Sequence, residues 1–118
     1  MYVATPEAIN DPARHAAIVD YLSRLNQFYA WSRDNKEKWA EITASNTKRP
    51  VEQALDTLKK SEEQRPTRII ENSPKSIASQ QDVADVLNSV GPLKSKVDIS
   101  QIWSHAFDEE LKKIAASP

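Results

Sequence analysis

The chain has 118 residues, enough for one domain, with sixteen basic and seventeen acidic side chains and a formal net charge of −1. This balance argues against a nucleic-acid-binding protein, whose affinity for phosphates needs a basic excess. The chain contains no cysteine, which excludes disulfides and thiolate metal sites. Its hydrophobic fraction of 39% and mean hydropathy of −0.64 are low for a self-sufficient core.

The N-terminal sequence MYVATPEAINDPAR lacks the basic start and the long apolar run of a signal peptide. No apolar run approaches the roughly 20 residues that a membrane-spanning helix needs. The chain as it stands is therefore expected to stay in the cytoplasm.

Hydrophobic periodicity predicts a mainly α fold in a single segment, 1–118. Residues 1–5 are apolar and partly β-branched, and they predict the end of a short strand. Asp11 and Pro12 are typical of an N-cap and a first helical residue, so helices are expected over 11–46.

A bend or a new helix is expected inside this range, because Asp34 and Glu37 have the spacing of a capping box. Pro50 begins a predicted helix over 50–64, and Pro66 prevents its continuation. The following sequence TRIIENS predicts an extended link that crosses the surface.

Ser73 and Pro74 predict the start of a helix over 74–90, which the glycine and proline after Val90 bring to an end. Its buried face is expected to consist of five apolar residues, Ile77, Val83, Ala84, Leu87 and Val90. The C-terminal range 99–116 predicts an apolar knot and a short helix. The knot is formed by Ile99, Ile102, Trp103 and Phe107.

Two histidines, His15 and His105, lie far apart in the sequence and lack the spacing of zinc ligands, so no metal site is expected. With one glycine and no nucleophile motif, the chain is expected to be neither an enzyme nor a cofactor-binding protein. No catalytic residue is assigned.

Gln80 and Gln81 lie near the apolar face of their helix. As buried amides need hydrogen-bond partners, we expect one of them to bind backbone groups of a neighbouring loop; the alternative is a ligand contact. Arg65 and Arg68 flank a proline turn and suit an anion, although arginines pair more often with nearby acids. The available acids are Glu62, Glu63 and Glu71. The three tryptophans, Trp31, Trp39 and Trp103, are interpreted as packing anchors rather than as ligand-stacking residues.

Five landmarks occur in one order along the chain: YVAT, FYAWSRDNKEKWAEI, PTRI, ASQQDVAD and GPLKSKVDIS. In this order the chain resembles the C-terminal part of the periplasmic substrate-binding proteins of ABC importers. The most similar branch is the aliphatic sulfonate, taurine and nitrate group. The resemblance covers nearly the whole chain.

The resemblance implies a parent protein with two α/β lobes and a ligand cleft between them, located in the periplasm. The parent captures a small organic anion, such as an aliphatic sulfonate, and docks on an ABC permease. The present chain would be the helical end of that fold, with the export signal, most of the first lobe and all of the second lobe preceding Met1. Most ligand contacts of the family come from those preceding regions, so the ligand-binding residues stay unknown.

One departure concerns the turn between two predicted helices. The family usually has a glycine-containing turn there, whereas this chain has SNTKRP. A second function class also stays open, namely a stand-alone helical interaction module that self-associates through exposed apolar faces.

Overall fold

The structure is a computed structural model that describes residues 2–117. This part of the chain is all-helical and contains no strand, so the fold is mainly α. Its helices are α1 (Pro6–Asn10), α2 (Pro12–Asp34), α3 (Lys36–Thr47), α4 (Val51–Gln64), α5 (Pro74–Ser89), a 3₁₀ helix (Ile99–Ile102) and α6 (Asp108–Ala116).

The strand end predicted over residues 1–5 does not form in its described part, 2–5, and Met1 lies outside the described residues. The physical reason is that the described chain offers no second strand for backbone pairing. Thr5 instead caps α1, because its hydroxyl accepts a hydrogen bond from the Ala8 N–H at 3.2 Å.

Side-chain caps fix the starts of the two longest helices. The Asp11 carboxylate accepts from the Arg14 N–H at 2.9 Å at the start of α2. The Ser73 hydroxyl accepts from the Ser76 N–H at 3.1 Å at the start of α5. Both helices have proline in the first turn, where the missing N–H costs nothing.

The break between α2 and α3 is built differently from the capping box predicted there. Asp34 is the last residue of α2, and no side chain caps the start of α3. The backbone N–H and the side-chain amide of Asn35 both donate to the Trp31 carbonyl at 2.9 Å. Asn35 thus satisfies the Trp31 carbonyl in the last turn of α2, and the start of α3 has no side-chain cap.

The turn between α3 and α4 depends on a lysine in a conformation that favours glycine. Lys48 has φ 54° and ψ 38°, in the left-handed region, and its N–H donates to the Ala44 carbonyl. This residue takes the position where a glycine commonly ends a helix. The chain therefore makes a left-handed helix end without a glycine, at the cost of local backbone strain.

The main core forms where α6 and the segment between α4 and α5 pack on α2. Its buried members are Leu22, Ile69, Phe107, Leu111 and Ile114. Ile69 belongs to the sequence TRIIENS, so that segment is a core element rather than only a surface link.

The C-terminal knot predicted within 99–116 is wrong for two of its members. Phe107 is buried in the main core instead, and Ile102 is 70% exposed. The physical reason is that α2 offers Phe107 an apolar surface that the 3₁₀ helix cannot match.

A separate small core holds α3 and α4 together as a hairpin. It consists of Ala40, Ala44 and Ala54, with Leu55 and Leu58 packed against them. Alanines let the two helices approach closely, but they bury little apolar area per residue.

The described helices are loosely assembled. The radius of gyration is 17.8 Å, whereas a compact chain of this length has about 13.5 Å. The accessible surface is 8872 Å², compared with about 6,500 Å² for a compact protein of this mass. No large side chain is fully buried among those described. Much of the apolar surface therefore has no partner in the described chain.

Replacing Lys48 with glycine is expected to stabilise the α3–α4 hairpin, because glycine adopts the left-handed region without steric cost. The free energy of unfolding should rise by about 0.5 to 1 kcal/mol in urea titrations. Thr47→Gly, one position earlier within α3, is the matched control and should destabilise the chain. A lower urea midpoint for Lys48→Gly would contradict this account of the turn.

Candidate functional site

Gln81 fastens the segment after α5 to that helix. Its side-chain oxygen accepts from the Ile99 N–H at 2.9 Å, and its amide nitrogen donates to the Val97 carbonyl at 2.9 Å. The same nitrogen donates to the Asp85 carboxylate at 3.0 Å. The predicted structural role, an amide that binds backbone groups of a neighbouring loop, is confirmed for Gln81.

Gln80 makes a related contact one residue earlier. Its side-chain oxygen accepts from the indole N–H of Trp103 at 3.1 Å. The glutamine pair thus holds both ends of the 3₁₀ helix against α5. Asp98 caps that helix, and the hydrogen bonds from the Ser100 hydroxyl and N–H hold the pKa of Asp98 below its usual value.

The two histidines occupy different surroundings. His15 lies half-buried in α2 and stacks on the Phe107 ring at 4.2 Å. His105 is exposed and its Nδ1 lies 2.6 Å from the Asp108 carboxylate. Within residues 2–117, no group of three or more potential ligands is arranged to hold a metal ion.

Arg65 and Arg68, for which an anion was the less favoured interpretation, do not line one cavity together. Arg68 lines a shallow cavity of about 260 Å³ beside the end of α6, and Arg65 does not line it. The second arginine of this cavity is Arg33, from α2, which the sequence reasoning missed. Arg33 donates to the Thr67 carbonyl at 2.8 Å and lies 4.0 Å from Glu62.

Two features of this cavity weaken its attraction for an anion, although Arg68 also lines it. The charge of Arg33 is already offset by Glu62, one of the three acids that were available to Arg65 and Arg68. The cavity also adjoins the C-terminal end of α6, where helix carbonyls carry partial negative charge. We therefore assign it no anion-binding role.

Asn26 is a buried polar residue that the sequence reasoning also missed. It is 8% exposed, and its amide donates to the Ile114 carbonyl at 3.1 Å and the Ser117 carbonyl at 3.4 Å. This amide holds the last turn of α6 against α2. The available signal was its position four residues after Leu22, inside the apolar stripe of α2.

The tryptophans take part in packing rather than lining a cleft. Trp39 meets the edge of Phe28 at 5.0 Å, and Trp31 stacks on the same ring at 6.2 Å. The three rings pack together at the junction of α2 and α3. Trp103 is held by Gln80, as described above.

The strongest candidate for an interaction surface is one face of α5, hereafter the α5 open face, which consists of Val83, Val86 and Leu87 together with Val90 directly after the helix. These residues follow the i, i+3, i+4, i+7 spacing of one helix stripe. They are 59%, 60%, 40% and 67% exposed, respectively. The prediction that Val83, Leu87 and Val90 form a buried face is therefore wrong for the described chain.

The other side of α5 already has its partner. Ala84 is buried, and Gln81 and Asn88 bind the backbone of the segment that follows the helix. Asn88 donates to the Leu93 carbonyl at 3.0 Å. The α5 open face, by contrast, is an apolar stripe that stays exposed in the described chain.

Comparisons with known proteins give no relative: no family model, no curated sequence and no solved structure matches the chain. Over residues 2–117, no helix has both the length and the apolarity to cross a membrane.

Replacing Gln81 with alanine is expected to release the segment around the 3₁₀ helix, because three hydrogen bonds are lost together. The free energy of unfolding should fall by about 1 to 2 kcal/mol. Hydrogen exchange of the Ile99 amide should accelerate at least about tenfold.

Gln101→Ala is the matched control for this variant, since its exposed side chain makes one long contact of 3.4 Å to Asp98. It should leave the Ile99 amide protected. Equal exchange rates in Gln81→Ala and wild type would contradict the fastening role.

Proposed function

We propose that this chain is the C-terminal helical portion of a solute-binding protein of an ABC importer, in the aliphatic sulfonate, taurine and nitrate group. Its parent captures a small organic anion between two α/β lobes in the periplasm and delivers it to a permease. The chain contributes helices that cover one lobe, and it performs no catalysis.

The single observation that carries this proposal is the α5 open face. Helices that cover a parallel sheet bury an apolar stripe against it, and such sheets are covered on both faces. In the proposed parent, α5 lies between the sheet of a lobe on one side and the 3₁₀ helix segment on the other. Its exposed valines then become core residues.

Two further observations support the proposal. The accessible surface of 8872 Å² is larger than that of a compact protein of this mass by about 2,400 Å². In addition, Lys48 builds a left-handed helix end where the family usually has a glycine-containing turn. Although SNTKRP contains no glycine, its backbone takes the conformation that glycine favours, which supports the resemblance.

A second candidate function is favoured by the same open face. In this alternative the chain is a stand-alone helical module, and the valines of two copies cover each other. The two functions differ in what removes the apolar stripe from water, namely a sheet of the same protein or a second copy.

Calorimetry with taurine and longer alkanesulfonates tests the ligand side of the proposal. The chain alone is expected to show no dissociation constant below about 1 μM, because tight ligand sites enclose most of the ligand surface. The cavity of about 260 Å³ is shallow and already holds the paired Arg33. Submicromolar binding of any of these sulfonates would contradict the proposal that this chain forms only part of a ligand-binding protein.

The reading frame upstream of the Met1 codon gives the positive test. An in-frame extension that encodes two α/β lobes behind an export signal is the expected result. A stop codon directly upstream in the native gene would contradict it.

Val86→Asp distinguishes the two functions in the isolated chain. Val86 is 60% exposed, so the free energy of unfolding should change by no more than about 0.5 kcal/mol. Binding of an apolar dye should fall, because the charge interrupts the stripe. Val51→Asp, a 45% exposed valine on α4, is the matched control and should leave dye binding unchanged.

Sedimentation of the wild type completes this comparison. A monomer over the whole concentration range is the result that the solute-binding proposal predicts. A concentration-dependent dimer that Val86→Asp abolishes would favour the self-associating module instead.

A further inference from the structure

His15 lies at the junction of three helices. Its Nδ1 is 3.3 Å from the Ile9 carbonyl oxygen of α1, and its Nε2 is 3.3 Å from the Glu110 carboxylate of α6. The ring also stacks on Phe107 with an interplanar angle of 18°. One side chain of α2 therefore contacts both α1 and the start of α6.

Both polar neighbours of the ring are hydrogen-bond acceptors. A carbonyl oxygen only accepts, and so does an ionised carboxylate. A neutral imidazole carries one N–H, so one of its nitrogens would face an acceptor with a lone pair. The doubly protonated ring donates to both and adds an ion pair with Glu110.

From this geometry we propose that His15 is a proton-operated clasp, which closes α6 on the α1–α2 junction when the imidazole is doubly protonated. In the open state the ring is neutral, keeps its Nδ1–H bond to the Ile9 carbonyl and loses the ion pair with Glu110. The clasp is independent of the solute-binding proposal, since it concerns contacts within the described chain.

The charged groups around the ring favour the closed state. On α6, the pKa of Glu110 is lowered by its own backbone N–H and by the hydrogen bond with His15, so its carboxylate stays ionised. Its neighbours on that helix are engaged elsewhere: Asp108 binds His105, and Glu109 binds Lys112.

On the other side of the junction, Arg14 is paired with Glu7 at 3.2 Å, and its positive charge is thereby offset. Asp11 accepts from the Arg14 N–H at the start of α2. The positive end of the α6 dipole opposes the imidazolium, but it carries only a partial charge. The full charge of Glu110, in direct contact with Nε2, therefore dominates.

The clasp matters because α6 supplies most of the main core. Phe107, Leu111 and Ile114 lie on or next to this helix, and its far end is tied by Asn26. When the clasp opens, the start of α6 keeps its apolar contacts but loses its polar tie. The clasp therefore adds to the free energy of unfolding where the imidazole is doubly protonated, and this contribution is lost where the imidazole is neutral.

A double-mutant cycle of His15→Gln and Glu110→Gln tests the clasp by urea unfolding, at about pH 5.5 and about pH 8.5, on either side of the histidine range. The coupling between the two positions should change the unfolding equilibrium constant about threefold to tenfold at the lower pH. It should be less than about twofold at the higher pH. Equal coupling at both values would overturn the proposal.

His105→Gln is the matched control, because its partner Asp108 lies three residues away rather than on another helix. Its effect on the coupling between positions 15 and 110 should be nil. An NMR titration gives a second readout that requires no stability measurement. The His15 ring should lose its second proton at lower pH in Glu110→Gln than in wild type, and identical titrations would overturn the proposal.

Discussion

The packing of α6 against α2 is the contact on which the rest of this chain depends. It joins the two ends of the described sequence through Leu22, Leu111 and Ile114, and it traps Ile69 between them. Asn26 adds the hydrogen bonds that satisfy the last carbonyls of α6. The α3–α4 hairpin joins this unit through the contacts of Trp39 with Phe28 and of Glu62 with Arg33 on α2.

The apolar area that this packing buries is small for the number of helices in the chain. The main core has five buried side chains and the hairpin core has three alanines, so about a hundred residues of helix and loop rest on little buried area. Because so little apolar area is buried, the α5 open face stays in contact with water. Hydrogen bonds from the glutamines hold the other side of this helix. An added sheet or a second copy would supply the missing apolar area, and this shared physical requirement links the two proposed functions.

Local chemistry made part of this structure predictable. Asp11 with Pro12, and Ser73 with Pro74, start helices because the cap and the proline act within one turn and need no tertiary partner. A backbone partner was predicted for Gln80 or Gln81, and Gln81 is the one that has it. The break near Asp34 was also predicted, and only its capping differs, because no side chain caps the start of α3. Asn26 and Arg33 escaped notice because their partners lie 88 and 34 residues away in sequence.

By itself, the sequence determined the helical class, the positions of most helix starts and the absence of thiol chemistry, because periodicity, caps and composition act locally. Only the tertiary structure decided which apolar stripes are covered. It placed Phe107 and Ile69 in the main core, left Val83 and Val90 exposed, and seated His15 between two acceptors. The physical reason is that burial and protonation depend on which distant residues arrive at a surface, and a helix of given periodicity is equally ready for a sheet, another helix or water.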